Sequence, residues 1–330
     1  MLDILFLYKD FAYNYSIISL AQELQKYGVR LEAQKIDTVE SARKHLRKCD
    51  LLLCYPEFYP GDEFCRKNCV AIVSDADGAW CSPHIHLIKF VKGFIESYAY
   101  IPRTLHNQKY YCYNMKLLAE AGFKRTATVP NDYNIETYTE EELSKIHVFC
   151  GFGSWERMKD IGNNEIIDLN APRTNPLFFA GTVEYAGTEI EDHRAKAVQI
   201  CKDVGGIGVA GRLVQWKEYR ETFLNTKAIL SPFGWGEACH RDFEALAFGC
   251  VLIKPDWSFV ESFPDISSKD APYIPCKLDF SDVPAIIEDM NLHWDKYLPM
   301  RVRGLHLAKD ALNITKNTSR FMEIVKCLLK

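Results

Sequence analysis

Three residues in this chain stand at a spacing that could do chemistry together. Glu237, Arg241 and Glu244 are separated by four and then three positions, so on one continuous helix they place a carboxylate, a guanidinium and a second carboxylate on a single face. They follow Ser231-Pro232-Phe233-Gly234-Trp235-Gly236, a Pro/Gly loop that predicts a turn opening onto a helix N-terminus. Unpaired backbone N–H groups and the positive end of the helix dipole suit a phosphate at such a place. A helix of roughly three turns, closed by Gly249, is expected there. A short apolar strand at 228–230 precedes it, and the buried strand Cys250-Val251-Leu252-Ile253 follows. Phe243, Leu246 and Ala247 would face a core on the opposite side. In that frame Arg241 and the Gly234–Gly236 loop can meet a diphosphate, because a planar fork of donors suits phosphate oxygens. Glu244 can accept hydrogen bonds from paired ribose hydroxyls. An internal Glu-Arg salt bridge on a surface helix would explain the spacing too, but not the loop or the two flanking apolar strands.

Other cations and carboxylates fall at strand ends. Arg212 follows Gly211 after the strand at 207–210, with Lys217 in the next helix, and these could neutralise a departing diphosphate or merely solvate a helix start. Lys254 and Asp256 flank Pro255 at the mouth of the strand after the motif helix, where they are expected to reach a cleft. Asp75-Ala76-Asp77-Gly78 lies at the carboxyl end of the strand at 70–74, where open α/β sheets place ligands. It has three readings: a polar turn, a carboxylate base on Asp77, or an Asp-x-Asp metal clamp. His84 or His86, just beyond, could be oriented by such a carboxylate for base work. The basic and Tyr-rich stretch at 103–114 could form a sugar-stacking wall, although ordinary packing explains it as well.

The run Ser-Pro-Phe-Gly-x-Gly-Glu-x-Cys-x-Arg-Asp-Phe-Glu-Ala from Ser231, followed by Gly249 and Leu252-Ile253-Lys254-Pro255-Asp256, resembles the nucleotide-sugar half of exostosin-like glycosyltransferases. More loosely it is similar to the Glu-containing donor motif of other GT-B glycosyltransferases. A second match lies at Leu177-Phe178-Phe179-Ala180-Gly181-Thr182 followed by His193-Arg194; in the family a strand ending in Gly opens the donor domain and an Arg on the next helix follows it. The resemblance covers residues 176–265. It implies a GT-B fold and a donor site built from Gly181, Thr182, Arg194, Arg212, Ser231, Gly234, Trp235, Gly236, Glu237, Arg241, Glu244 and Lys254. Transfer would invert the anomeric carbon, with Asp77, His84 and Arg212 the catalytic candidates. No cofactor and no metal are required on this reading, since cations and a helix terminus can offset the leaving charge, although a divalent metal stays conceivable. Luminal members of the family carry a membrane anchor. The first segment here, at 1–8, contains Asp3, lacks a basic lead and is too short to span a bilayer, which suggests a cytoplasmic enzyme of bacterial or viral type. The sequons at Asn14, Asn313 and Asn317 are then chance matches.

Composition sets the outer limits. At 330 residues, with 48% hydrophobic and 25% charged residues, the chain is an ordinary globular one, long enough for two domains. A formal net charge of -4 with no basic stripe argues against a nucleic-acid partner. Twelve cysteines scatter through apolar segments without a disulfide framework, as expected of reduced, buried thiols. Cys65 and Cys69 form the single close pair, with no second pair or histidine to complete a zinc site.

The elements that must position these residues alternate. Strands at 3–8, 30–36, 50–54 and 70–74 with helices at 16–27 and 39–48 form a βαβα series, and a further strand is expected at 146–151. Helices at 190–204 and 216–225 with strands at 177–180, 207–210 and 228–230 form another. Each series implies a parallel sheet with helices on both faces. The turn at 9–13 has no glycine, which disfavours a dinucleotide-dependent oxidoreductase. The expected fold is α/β and GT-B: two Rossmann-like domains facing each other across a cleft. Residues 1–169 would form the acceptor domain, 170–176 the linker and 177–305 the donor domain. Helices are expected at 283–294 and 302–329, and the segment 306–330 is expected to fold back on the first domain. The implied partners are a nucleoside-diphosphate sugar and a glycan or other hydroxyl acceptor. A metal-dependent GT-A-type transferase using Asp75 and Asp77, and a non-catalytic nucleotide-sugar-binding protein, are the alternatives.

Overall fold

A computed structural model of the chain describes residues 1–9, 15–74, 85–107, 113–126, 137–149, 167–211, 215–268 and 270–330. The short apolar runs of the first half form β1 (Leu2–Tyr8), β2 (Val29–Lys35), β3 (Leu51–Cys54), β4 (Val70–Ser74), β5 (Gly93–Glu96), β6 (Tyr98–Tyr100) and β7 (Ile146–Val148). Six of these make one parallel sheet in the order β2-β1-β3-β4-β5-β7. The second half supplies β8 (Asn175–Gly181), β9 (Ile207–Ala210), β10 (Thr226–Leu230), β11 (Val251–Pro255), β12 (Val260–Ser262) and β13 (Tyr273–Cys276). Five of them form a second parallel sheet, ordered β13-β11-β10-β8-β9. Strands β3, β4, β5 and β11 are buried along their whole length, as continuous apolar runs must be when helices cover both faces of a parallel sheet.

In both sheets the second strand lies outside the first, so the winding reverses between the first and third strands, at β1/β3 and at β8/β10. Such a reversal leaves a crevice at the carboxyl ends of the two strands. The loops after β8 and β10 carry the Gly181 and Gly-Trp-Gly segments, so the fold brings the two stretches of the motif together.

Several contacts among the described residues tie the halves together. Strands β6 and β12 pair antiparallel, Val260 opposite Tyr100 and Ser262 opposite Tyr98. The last helix, Ile314–Leu328, lies on the first sheet: Phe321 packs on Phe149 with ring centroids 5.6 Å apart, and Arg320 Nε donates to the Val148 carbonyl at 3.2 Å.

Several boundaries differ from expectation. The helix at 16–27 is two short ones, Tyr15–Ile18 and Ala21–Gln25, although Leu20 and Leu24 keep its apolar face buried. The terminal helix at 302–329 is broken into Leu298–Ala311 and Ile314–Leu328, because the Asn313 side chain accepts from Lys316 N at 3.0 Å and caps a new start. The helix expected at 283–294 ends at Leu292. Strand β8 begins inside the segment taken as a linker, at Asn175. Arg173, in the same segment, is buried and donates to the carbonyls of Phe223, Thr226 and Phe248, so this stretch is anchored. Strands β5, β6, β12 and β13 were not expected. No described helix is long and apolar enough to cross a membrane.

Glu96 ends β5 with 3% exposure, and its Oε2 has no hydrogen-bond partner among the described residues. Burial raises its pKa from 4.5 to about 8, against a smaller opposing pull from Arg103. The folded chain therefore holds this proton to higher pH than the unfolded chain does. Its contribution is complete below pH 4.5 and is lost as pH rises through about 8. Glu96→Gln is expected to remove that loss. Denaturant unfolding of the two proteins from pH 4 to 9 should show the wild type falling behind the variant by up to about 1.4 kcal/mol per pH unit within the window. Parallel curves would contradict the assignment.

Candidate functional site: paired guanidiniums at the second crevice

The motif helix runs from His240 to Ala247. It is about a turn shorter than expected, and Gly249 closes it at a φ of 64°, where a side chain is disfavoured. Glu237 therefore precedes the helix and shares no face with Arg241 and Glu244. It is wholly buried. The helix start also differs from an open phosphate site. Asp242 accepts from Cys239 N at 2.8 Å and so occupies the amino end itself. Lys254, expected at the mouth of a cleft, is wholly buried and sits 3.2 Å from the Asp242 carboxylate. Its ammonium also donates to Ser231 O at 3.4 Å and lies over the Phe233 and Trp257 rings. An ammonium in a fully buried strand needs a counter-charge, and Asp242 supplies it.

Two other cations come together at the end of β8. Arg194 projects from the helix Glu189–Asp203, and Arg241 from the motif helix. Their guanidiniums approach one point: a methyl group on Gly181, the last residue of β8, would lie 2.6 Å from Arg241 Nη2 and 2.7 Å from Arg194 Nη2. The glycine is what lets both arrive. Arg241 Nη2 donates to the Ala180 carbonyl at 2.6 Å, and Arg194 Nη1 to the Tyr185 hydroxyl at 2.9 Å. The Phe179 ring lies beneath both cations, 4.6 Å from Arg241 and 5.4 Å from Arg194. Neither guanidinium has a carboxylate within salt-bridge distance among the described residues. The acids closest in sequence are engaged elsewhere, Asp242 with Lys254 and Glu244 with the Tyr219 hydroxyl at 2.8 Å. Both Nη2 nitrogens lie within 2.7 Å of one point, and like charges that close repel by a few kcal/mol even at an effective dielectric constant near 20. Burial, and next the Arg241 charge, lower the Arg194 pKa. An anion between the two cations would turn that repulsion into attraction.

Surrounding groups hold the pair in place. The loop after Gly181 is gathered by Glu191, which accepts from Tyr185 N at 2.9 Å and Gly187 N at 3.0 Å. Tyr185 stands 5.5 Å from the Trp235 ring, which is 37% exposed. His193, beside Arg194, is buried against Phe280 with centroids 4.5 Å apart. Burial keeps it neutral, its pKa lowered to about 3. Tyr219 is kept protonated, its pKa raised by burial and by the Glu244 charge.

Of the residues expected at the site, Gly181, Arg194, Gly234 and Arg241 are brought together. Trp235 lies beside them, Thr182 is exposed on the adjoining loop, and Gly236 accepts from Gly234 N at 3.0 Å. Ser231 is buried beneath them, its hydroxyl 3.1 Å from Cys239 Sγ. Glu237 and Lys254 are buried parts of the framework, and Glu244 is buried and accepts from the Tyr219 hydroxyl. Asp75, Asp77, His84 and Arg212 lie outside the described residues. Sequence reasoning passed over Asp242, which the capping position three residues after Cys239 could have revealed. It also passed over Tyr185, Tyr219 and Asn114, for which no local signal exists.

No protein-family model matches the chain, and no curated protein matches it by sequence. Solved structures do match in fold. A glycosyltransferase from Rickettsia africae superposes with a TM-score of 0.51 at 10% identity, covering 100% of this chain and 99% of that one. The N-terminal domain of trehalose-6-phosphate phosphatase from Candida albicans gives a TM-score of 0.55 at 7% identity, covering 98% and 97%. The chain has the GT-B fold, two Rossmann-like halves each built on a parallel sheet.

Two variants probe this geometry. Gly181→Ala pushes on the mobile ends of two side chains, so the unfolding midpoint should move little. Pyrophosphate binding by calorimetry should weaken by about tenfold or more, equivalent to about 1.4 kcal/mol; unchanged binding would move the anion site elsewhere. Lys254→Met leaves the Asp242 charge buried and uncompensated, at an expected cost of about 3–5 kcal/mol in urea unfolding, and adding Asp242→Asn should recover most of it.

Proposed function

We propose that this chain is a glycosyltransferase of the exostosin-like kind, moving a sugar from a nucleoside-diphosphate sugar to a hydroxyl of a glycan or other acceptor. One observation carries the reading. Arg194 and Arg241 converge, without a carboxylate partner among the described residues, at the β8/β10 crevice of a GT-B fold. A diphosphate placed there would receive two planar forks of donors, with the Gly234–Gly236 turn alongside. The likeness to a structure described as a glycosyltransferase agrees with it.

The reaction follows from charge. The acceptor hydroxyl loses its proton to a carboxylate or imidazole of the first half, the role proposed for Asp77 with His84. Its oxygen forms a bond to the anomeric carbon from the face opposite the diphosphate, and the bond from that carbon to the diphosphate oxygen breaks. The electron pair leaves on the diphosphate, whose growing charge meets Arg194 and Arg241, with Arg212 a further candidate. This displacement inverts the anomeric centre. Because side-chain cations meet the leaving charge, we propose that transfer requires no divalent metal. The two-sheet GT-B architecture sets aside a GT-A scaffold around Asp75 and Asp77. A carboxylate accepts from more than one donor, so Glu244 is retained as the proposed ribose partner alongside its contact with Tyr219.

The expected outcome of a thermal-shift screen with UDP-, GDP-, CMP- and dTDP-sugars is stabilisation by one nucleotide class, about 2.7 kcal/mol at a hundredfold excess over Kd. Arg194→Lys, which keeps the charge but loses the fork, should reduce that affinity about tenfold. Transfer to a hydroxyl acceptor should persist in strong chelator. Binding with neither transfer nor slow donor hydrolysis across a broad acceptor panel would identify a nucleotide-sugar-binding protein instead.

A further inference from the structure

The turn that flanks the two arginines is held from the other half of the molecule. Asn114 lies on the helix Tyr113–Glu120 of the first half and is wholly buried. Its Oδ1 accepts from Met115 N at 2.8 Å, which fixes the amide so that Nδ2 faces outward as a donor. Nδ2 donates to the Gly234 carbonyl at 2.9 Å and approaches the Trp235 carbonyl at 3.5 Å. Turned the other way, the amide oxygen would confront both carbonyls and the Met115 N–H would lose its partner. On the opposite side of the turn, a methyl group on Gly234 would lie 3.2 Å from Arg194 Nη1 and 3.5 Å from the Tyr185 hydroxyl. The turn is thus sandwiched between Asn114 and the anion site.

The same segment touches the second half repeatedly. Lys124 N donates to Asp192 at 3.0 Å, Thr126 N donates to the Gly187 carbonyl at 2.7 Å, and the Phe123 ring meets His193 at 4.9 Å. Tyr113 packs edge-on against Phe259 at 5.1 Å. Both crevice loops therefore rest on residues 113–126.

We propose that Asn114 is a positioning residue for the donor site, acting through the Gly234–Gly236 turn. Carbonyl oxygens repel a bound diphosphate, and the turn beside the guanidiniums carries two that Asn114 engages, those of Gly234 and Trp235. By engaging both, the Asn114 amide draws them toward the first half and away from the guanidinium pair. Donor affinity is then set partly by a residue that touches no donor, and the contact couples the two halves. The inference rests on the donor-site reading and extends it to the first half.

Asn114→Asp separates the helix contact from the inter-half contact. Its carboxylate still accepts from Met115 N, but when ionised it repels the two carbonyls, and when protonated it can donate to one of them. With inorganic pyrophosphate as the probe, the variant should bind about five- to tenfold more weakly than wild type at pH 8. The ratio of the two dissociation constants should shrink toward one by pH 5, a trend that simple loss of packing would not produce. A ratio within twofold of one at every pH, with binding still sensitive to Arg194→Lys, overturns the role of Asn114 alone. Wild-type chain that ignores pyrophosphate, or binds it equally well as Arg194→Lys, overturns the donor-site reading and this inference with it. Should Asn114→Asp fail to fold at pH 8, Asn114→Ala decides: a folded variant with affinity reduced about fivefold supports the role, and unchanged affinity removes it.

Discussion

The second half of the molecule is built around an electrostatic conflict, two guanidiniums brought to one glycine with no carboxylate within ion-pair distance of either among the described residues. Like charges in a partly dehydrated pocket are expensive to hold. The surroundings retain them through a carbonyl, a phenol and the face of Phe179, partners that orient a cation without cancelling it. On the proposed function such a pair would attract a multiply charged anion more strongly than a solvent-exposed arginine would, because less of the attraction is screened.

Rigidity of the motif helix makes the arrangement possible. Its amino end is closed by Asp242, itself held by buried Lys254. At its other end Arg173 donates to the Phe248 carbonyl, and Arg301 to those of Gly249 and Leu169. Cations near the carboxyl end of a helix complement its dipole. The helix is buried from Arg241 to Ala247, which fixes the point from which the Arg241 side chain reaches toward Gly181. The sequence motif combines two kinds of residue: Gly181, Gly234 and Arg241 surround the point where the guanidiniums meet, whereas Asp242 and Lys254 close the start of the helix and Glu237 lies buried before it.

Much of the fold was legible because parallel strands are short apolar runs and their crossover helices are amphipathic. Strand β4 and the alternation after β8 emerge from that pattern alone. Strands β6 and β12 did not, since three residues each give too short a period and their pairing joins segments about 160 positions apart. The break before Ile314 was missed because Asn313 acts through its side chain on a backbone N–H three residues on, without interrupting the apolar pattern.

The sequence by itself determined the α/β architecture, the loop-helix-strand motif and the arginine and glycines at its centre, because these depend on local periodicity and residue chemistry. The tertiary structure decided which charges are free to act. Lys254 and Glu237 look like ligands in a linear string, yet one is consumed by Asp242 and the other is sealed in the interior. Arg194 gains its meaning from Arg241, and Asn114 from a turn 120 residues away. Burial and through-space pairing are properties of the packed chain, and sequence separation carries no record of them.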